Sequence, residues 1–263
     1  MRRHALALLF VIIMCVGAAD ATTNVQVQPT GERHLLGGGL AACGRYESRS
    51  WDLDLQSVTP ASKAISDSLD EMRFSADTSS FGAELLFSVG SHLELRGILA
   101  AGEIELDGRR NKARFDLDTD IGLLYGFGAR ISVPALWPPG WDLDVDFEML
   151  TGSFDEADFL FTGGGPLEPV AQADLDWRQI SVSPTVSKDL GIITPYAGLR
   201  FATADADVKA QIGKKAEDLS FENEDLLSVV LGARFALGSF ISGDVHVDLL
   251  NNEGVVVSIV VRF

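Results

Sequence analysis

Residues 141–148 read Trp-Asp-Leu-Asp-Val-Asp-Phe-Glu, a carboxylate at every second position with a large apolar side chain before each. A helix mixes two such sets around its circumference. A β-strand, with its period of two, puts all four acids on one face and the apolar residues on the other. The same alternation recurs. Phe81, Ala83, Leu85, Phe87 and Val89 are interleaved with Gly82, Glu84, Leu86 and Ser88. Leu227, Val229, Leu231, Ala233, Phe235 and Leu237 form a second such face, and Ile241, Gly243, Val245, Val247 and Leu249 a third.

A strand in a membrane barrel keeps this period but turns its apolar face outward to lipid. The reading is therefore all-β: a single antiparallel transmembrane β-barrel of about ten strands, with eight and twelve as alternatives. The expected spans are 34–50, 78–90, 92–106, 113–133, 141–154, 175–189, 193–208, 224–238, 240–250 and 254–263. An even count puts both chain ends on the periplasmic side, where turns are short. Ser91, Pro134 to Gly140, Leu190 to Ile192 and Ser239 are such turns. Long polar stretches near 51–77, 155–174 and 209–223 are the expected outer loops, and residues 60–73 a short helix within the first. Asn251-Asn-Glu-Gly254 supplies turn residues that tolerate positive φ. Apolar residues swap parity near Gly102, Gln179 and Ala204, where bulges are expected. Trp51, Phe154, Phe161 and Trp177 are expected at the outer interface, and Trp137, Trp141, Tyr196, Phe240 and Phe263 at the inner one.

The chain starts with the three parts of a secretory signal: Arg2, Arg3 and His4, an apolar run from Ala5, and small residues at Ala19 and Ala21. Residues 1–21 are read as a signal peptide cleaved after Ala21, or after Ala19. Residues 22–33 are read as a flexible periplasmic segment, and 34–263 as the barrel. Without residues 1–21 the chain keeps 19 of its 21 basic and 37 of its 38 acidic residues, a net charge of −18. Such a charge disfavours nucleic acid as a partner. Cys43 then stands alone, which leaves no disulfide within the chain; it reads as a small buried residue.

The last strand, Gly254-Val-Val-Val-Ser-Ile-Val-Val-Arg-Phe263, carries Val255, Val257, Ile259, Val261 and Phe263 on one face. With the alternation and the export signal, this strand resembles the small outer-membrane β-barrel proteins of Gram-negative bacteria. The resemblance covers roughly residues 34–263. It implies that these five residues form the signal read by the barrel-assembly machinery, and that the partners are outer-membrane lipid and lipopolysaccharide. Ser258 and Val261 depart from the glycine and aromatic common in that family.

Parity puts many charges in the lumen: Glu84, Arg96, Asp116, Asp118, Asp120, Arg130, Asp142, Asp144, Asp146, Glu148, Arg200, Arg234, Asp244, His246 and Asp248, together with Arg45, Arg49, Glu94 and Arg262. An unpaired charge in a confined lumen is costly. Internal salt bridges are therefore expected ahead of an open, carboxylate-lined path for small polar solutes. Asp244, His246 and Asp248 share one face, and a carboxylate beside a histidine fixes its tautomer for general-base work. With a second acidic group at Asp116, Asp118 and Asp120, this looks like the omptin proteases and gives a hydrolase as the alternative function. Adhesion or ligand binding through the outer loops is a third. No EF-hand loop, paired-Cys zinc motif or Gly-rich phosphate loop is present in the sequence, so no metal or cofactor is expected.

Overall fold

In the computed structural model twelve strands form one sheet, paired antiparallel throughout. The structure describes residues 39–59, 69, 72–90, 92–110, 113–134, 141–162, 171–212, 215–223 and 226–263. The signal peptide and the segment 22–33 lie outside these residues. The strands are β1 (Gly39–Thr59), β2 (Arg73–Val89), β3 (Leu93–Arg110), β4 (Ala113–Asp118), β5 (Gly122–Pro134), β6 (Trp141–Thr162), β7 (Ala171–Lys188), β8 (Ile193–Ile212), β9 (Lys215–Asn223), β10 (Leu227–Ala236), β11 (Ile241–Leu250) and β12 (Gly254–Arg262).

The sheet closes on itself twice. In the basal tier, which holds both ends of the barrel chain, β1, β2, β3, β5, β6, β7, β8, β10, β11 and β12 pair in turn, and β12 returns to β1. That is a ring of ten, as the alternation indicates. The hairpin β11–β12 has strands of only 10 and 9 residues. This matches the length a tilted strand needs to cross the hydrocarbon. Longer strands continue past it: β6 runs for 22 residues and β1 for 21. Above the hairpin tip, β1 changes neighbour. Its last pair with β12 is Arg49↔Gly254, and its first with β9 is Leu53↔Asn223. The distal tier is therefore a ring of eight: β1, β2, β3, β4, β6, β7, β8 and β9.

Two strand positions on opposite sides of the ring break where the tiers meet, β4 to β5 and β9 to β10, and side chains bridge both breaks. Thr119 lies between β4 and β5; its hydroxyl accepts from Ile104 N at 2.8 Å, and its amide donates back to Ile104 O at 3.1 Å. Asn223 ends β9, accepting from Ala204 N at 2.8 Å and donating to Ala202 O at 3.1 Å. Each replaces a missing rung of the ladder with a side-chain bond, which gives the backbone of Ile104, Ala202 and Ala204 its partners there.

Around the basal tier the outward side chains are apolar and exposed, among them Leu85, Phe87, Leu95, Leu99, Phe127, Ile131, Phe201, Leu231 and Val245. Such a continuous belt is disfavoured in water and favoured in lipid. The distal tier reverses this. Trp51, Leu53, Phe74, Ile104, Leu106, Phe115, Leu117, Leu175, Trp177, Leu219 and Phe221 point inward and make a dry core. Phe74, Phe115 and Phe221 meet edge to face with centroids 4.9–5.8 Å apart, and Trp51 meets Trp177 at 6.0 Å.

This reversal corrects several expectations. β3, β7 and β8 run without a register shift through Gly102, Gln179 and Ala204. The parity swap there is the change from apolar-outside to apolar-inside, not a bulge. The register shifts lie between Phe154 and Ala157 in β6 and between Leu55 and Ser57 in β1. Within the stretches 51–77, 155–174 and 209–223 nearly all the described residues are strand rather than loop. Trp51, Phe154 and Trp177 are core residues, not an interfacial belt. Tyr196 faces the lumen; the side chains of Trp137 and Phe161 lie outside the described residues. The expected helix at 60–73 falls largely outside them too, with Arg73 already in β2. Gly90 and Gly191 take positive φ in the basal turns. In the β11–β12 turn the positive φ falls on Leu250 rather than on Asn251 to Gly254.

Candidate functional site

Alternation and closure decide what enters the basal lumen. Every even residue from Asp142 to Glu148 on β6 faces inward, as do the odd residues of β1 and the even ones of β2, β3, β8, β10 and β11. Arg45 is the hub. Its Nη1 donates to Glu84 at 2.9 Å and to Glu148 at 2.5 Å, and its Nη2 to Glu148 at 2.9 Å and to Glu47. Arg49 donates through Nε to Glu47 at 3.0 Å and pairs through Nη1 with Asp248 at 2.6 Å. Arg200 reaches Asp248 at 2.8 Å and Ser183 at 3.0 Å. Arg96 joins Asp146 to Glu148. Arg130 bonds the other oxygen of Asp146 at 2.9 Å. Five guanidinium groups thus meet Glu47, Glu84, Asp146, Glu148 and Asp248, tying together β1, β2, β3, β5, β6, β7, β8 and β11. Glu47, Asp146, Glu148 and Asp248 each meet two guanidinium groups, and Glu84 meets Arg45; such multiple pairing is the condition under which buried ions are tolerated.

Two glycines make room for the reach. Arg96 on β3 passes over Gly128 on β5 to find its acids on β6; a Cβ at Gly128 would strike Arg96 Nε and come within 2.8 Å of Phe147 O. Tyr196 on β8 likewise crosses Gly232 on β10. Its hydroxyl donates to Asp244 on β11 at 2.7 Å and lies 3.2 Å from His246 Nδ1.

Below the Arg45 network the lumen opens into a vestibule of about 310 Å³, lined among others by Arg130, Tyr196, Arg234, Asp244, His246 and Arg262. Arg234 spans the lumen from β10 to Asp144 on β6 at 2.7 Å and lies over the Tyr196 ring, 5.1 Å from its centroid. Above the network stands the apolar core of the distal tier. The lumen is therefore closed by two stacked layers, one ionic and one dry. Cys43 is buried beside Ala41 and Leu86.

The inward list of the sequence analysis needs one correction. Glu84, Arg96, Arg130, Asp142, Asp144, Asp146, Glu148, Arg200, Arg234, Asp244, His246 and Asp248 belong to inward-facing registers of the basal tier. Asp116, Asp118 and Asp120 do not: Phe115, Leu117 and Thr119 take the inward positions, which turns the three acids to the outer wall of the distal tier. The hydrolase alternative thereby loses its second acidic pair. His246 stays with Asp244, 3.5 Å from Nδ1 to Oδ1, while Asp248 is taken by Arg49 and Arg200. Among the described residues no three His, Cys, Asp or Glu side chains form a metal-ligating group. Glu47 and the dry distal core escaped the sequence reading. For Glu47 the signal was its shared parity with Arg45 and Arg49; for the core it was the parity swap, because one strand cannot invert its polarity unless its surroundings do.

The outer wall of the distal tier is strongly acidic. Asp77, Glu105, Asp118 and Asp158 stand directly opposite one another across β2, β3, β4 and β6, and Asp107 faces Asp116. Partial burial, and then the negative charges of Asp118, Glu103, Asp77 and Asp107, hold the Glu105 carboxyl above its ordinary range. Asp118 is raised by burial and by Glu103, Asp158 and Asp120. Asp107 is raised first by its hydrogen bond to Asp116. A carboxyl raised in the folded state stabilises the fold below its unfolded pKa, and that contribution disappears as pH climbs through the folded value. The row thus weakens the distal tier at neutral pH. Asp118→Lys, which turns repulsion into attraction across the rung, is expected to stabilise the barrel by about 0.2–1 kcal/mol. Urea unfolding at pH 7 measures this, and the gain should shrink toward pH 4.

No protein-family profile matches the chain, and no curated protein matches it. Solved structures similar in fold include the translocator domain of the autotransporter NalP from Neisseria meningitidis, 12% identical, covering 99% of this chain and 96% of that one with a TM-score of 0.46. The outer membrane protein OprG from Pseudomonas aeruginosa is 7% identical, covering 86% and 96% with a TM-score of 0.42. An outer membrane channel from Pseudomonas putida F1 is 11% identical, covering 90% and 100% with a TM-score of 0.41. With its exposed apolar belt around a charged lumen, the chain folds as a single-chain antiparallel β-barrel of the outer-membrane type.

Proposed function

We propose that this chain is an outer-membrane barrel with a structural role in the cell envelope, closed to through-passage of solutes, with its vestibule open to the periplasm and its eight-stranded tier standing outside the membrane. The observation that carries this reading is the double closure of the lumen. The Arg45 network crosses it, and Trp51, Trp177, Phe74, Phe115 and Phe221 fill it above. Water and ions need a continuous polar path, and a dry layer of aromatic rings denies one. The acidic distal wall and the short basal turns support the assigned orientation.

Planar-bilayer recording on the refolded chain tests the reading. No sustained conductance steps are expected, even at high salt. Regular, voltage-independent steps would replace it with the pore. The segments on which adhesion would rest, within 51–77, 155–174 and 209–223, lie partly outside the described residues.

A further inference from the structure

The vestibule holds more hydrogen-bond donors than its own acceptors use. The chain as a whole has 38 acidic and 21 basic residues. Yet the vestibule is lined by Arg45, Arg96, Arg130, Arg200, Arg234 and Arg262 against five carboxylates. Near its mouth the guanidinium groups are lightly used. Arg130 donates through Nε alone, to Asp146. Arg234 makes one hydrogen bond, through Nη2 to Asp144, with its Nε 3.5 Å from Asp244. Arg262 donates only to the neutral hydroxyl of Ser242, at 3.1 Å. Each guanidinium carries five N–H groups and no acceptor. The side chains of Arg130 and Arg234 keep 30% exposure, so their remaining donors face the cavity. Deeper in, Arg45 Nε and Arg96 Nε are buried without a hydrogen-bond partner.

The carboxylates that hold Arg130 and Arg234 are already engaged, while Glu94 stands opposite Arg130 in the β3–β5 pairing without a hydrogen bond to it. Ser132 and Arg234 donate to the two oxygens of Asp144, and Tyr196 donates to Asp244. Asp144 and Asp146 are two residues apart on one face of β6. They hold Arg234, arriving across the lumen, beside Arg130, arriving from the next strand. Two guanidinium groups with open donors thus converge over Asp144 and Asp146, whose oxygens already accept from them. Unsatisfied donors at a half-closed site call for acceptors, and paired N–H groups of arginine match the two oxygens of a carboxylate or phosphate.

We propose that the vestibule binds a small solute through a carboxylate or phosphate group, held by Arg130 and Arg234, with Arg262 drawing it in at the mouth. The site is blind at its distal end, so the solute enters and leaves from the same side. The single entrance rests on the sealed lumen of the proposed function, but binding itself does not, and a conducting barrel would bind at the same residues.

The test uses the full chain refolded in detergent, titrated with inorganic phosphate, with acetate, and with chloride at matched ionic strength. Thermal unfolding is the readout. A saturable rise in Tm with phosphate or acetate, absent with chloride, is expected, and the stronger of the two identifies the group. Arg130→Gln and Arg234→Gln should each weaken apparent affinity about tenfold. Arg178→Gln, on the outer wall, should leave it unchanged. If the lumen variants do not refold, broadening of the phosphate ³¹P resonance by the unmodified barrel, reversed by acetate, reads the same site. Equal shifts with all three anions, or no broadening, would mean that only water and screening ions fill the vestibule, and would overturn the proposal.

Discussion

Gly128→Val is expected to lose most of the barrel's folding yield, while Gly97→Val, on the lipid-facing side of the adjacent strand, folds normally. At Gly97 an added Cβ meets nothing within 4 Å. At Gly128 it meets the Arg96 side chain and, at 2.8 Å, the Phe147 carbonyl of the neighbouring strand. Backbone cannot retreat, so Arg96 must. Its withdrawal strips Asp146 of one of its two cations and Glu148 of a second partner. Removing one partner of a buried pair costs about 3–5 kcal/mol, and forcing a branched side chain into a filled site costs about 1–3 kcal/mol more. Together these approach the whole stability of an ordinary domain. Heat-modifiable gel mobility and urea unfolding in lipid measure the outcome. Equal folding of the two variants would show that Arg96 does not cross β5 as described.

Arg45→Met should be the most damaging change that leaves the backbone undisturbed. Its chain is of similar length, so packing is largely kept. What disappears is the one cation that Glu47, Glu84 and Glu148 share. The cost is expected at about 3–5 kcal/mol. Arg49 still holds Glu47 and Arg96 still holds Glu148, whereas Glu84 loses its ion pair altogether. Arg45→Met combined with Glu84→Gln should therefore recover part of the loss, whereas Arg45→Met combined with Glu94→Gln should not. Urea midpoints of the single and double variants give the coupling directly. Full additivity for the Glu84 pair would remove Arg45 from the centre of the network.

Strand identity, the facing of residues 141–148 and the polar lining of the basal tier were all legible from alternation. Alternation is local: it follows from a side-chain period of two that no distant contact alters. Asp244 beside His246 was legible for the same reason, as two residues of one strand face. Tyr196 was not, because it reaches them only by crossing Gly232, and that meeting depends on β8 and β10 being neighbours.

Asp116, Asp118 and Asp120 mark where local pattern stops being sufficient. Their alternation with Phe115, Leu117 and Thr119 is the same in lipid and in water; only the direction of the apolar face differs. Pattern alone established that these residues form strands and which side chains travel together. Tertiary structure decided which set points inward at each height. Where β11 and β12 complete the ring, lipid lies outside and the charges must turn in to find one another. Where β9 closes directly onto β1, water lies outside, the narrower ring packs its own apolar residues, and the acids turn out. The deciding contact is between segments about 160 to 170 residues apart in sequence, from Leu53↔Asn223 to Thr59↔Asp218, and no window along the chain contains it.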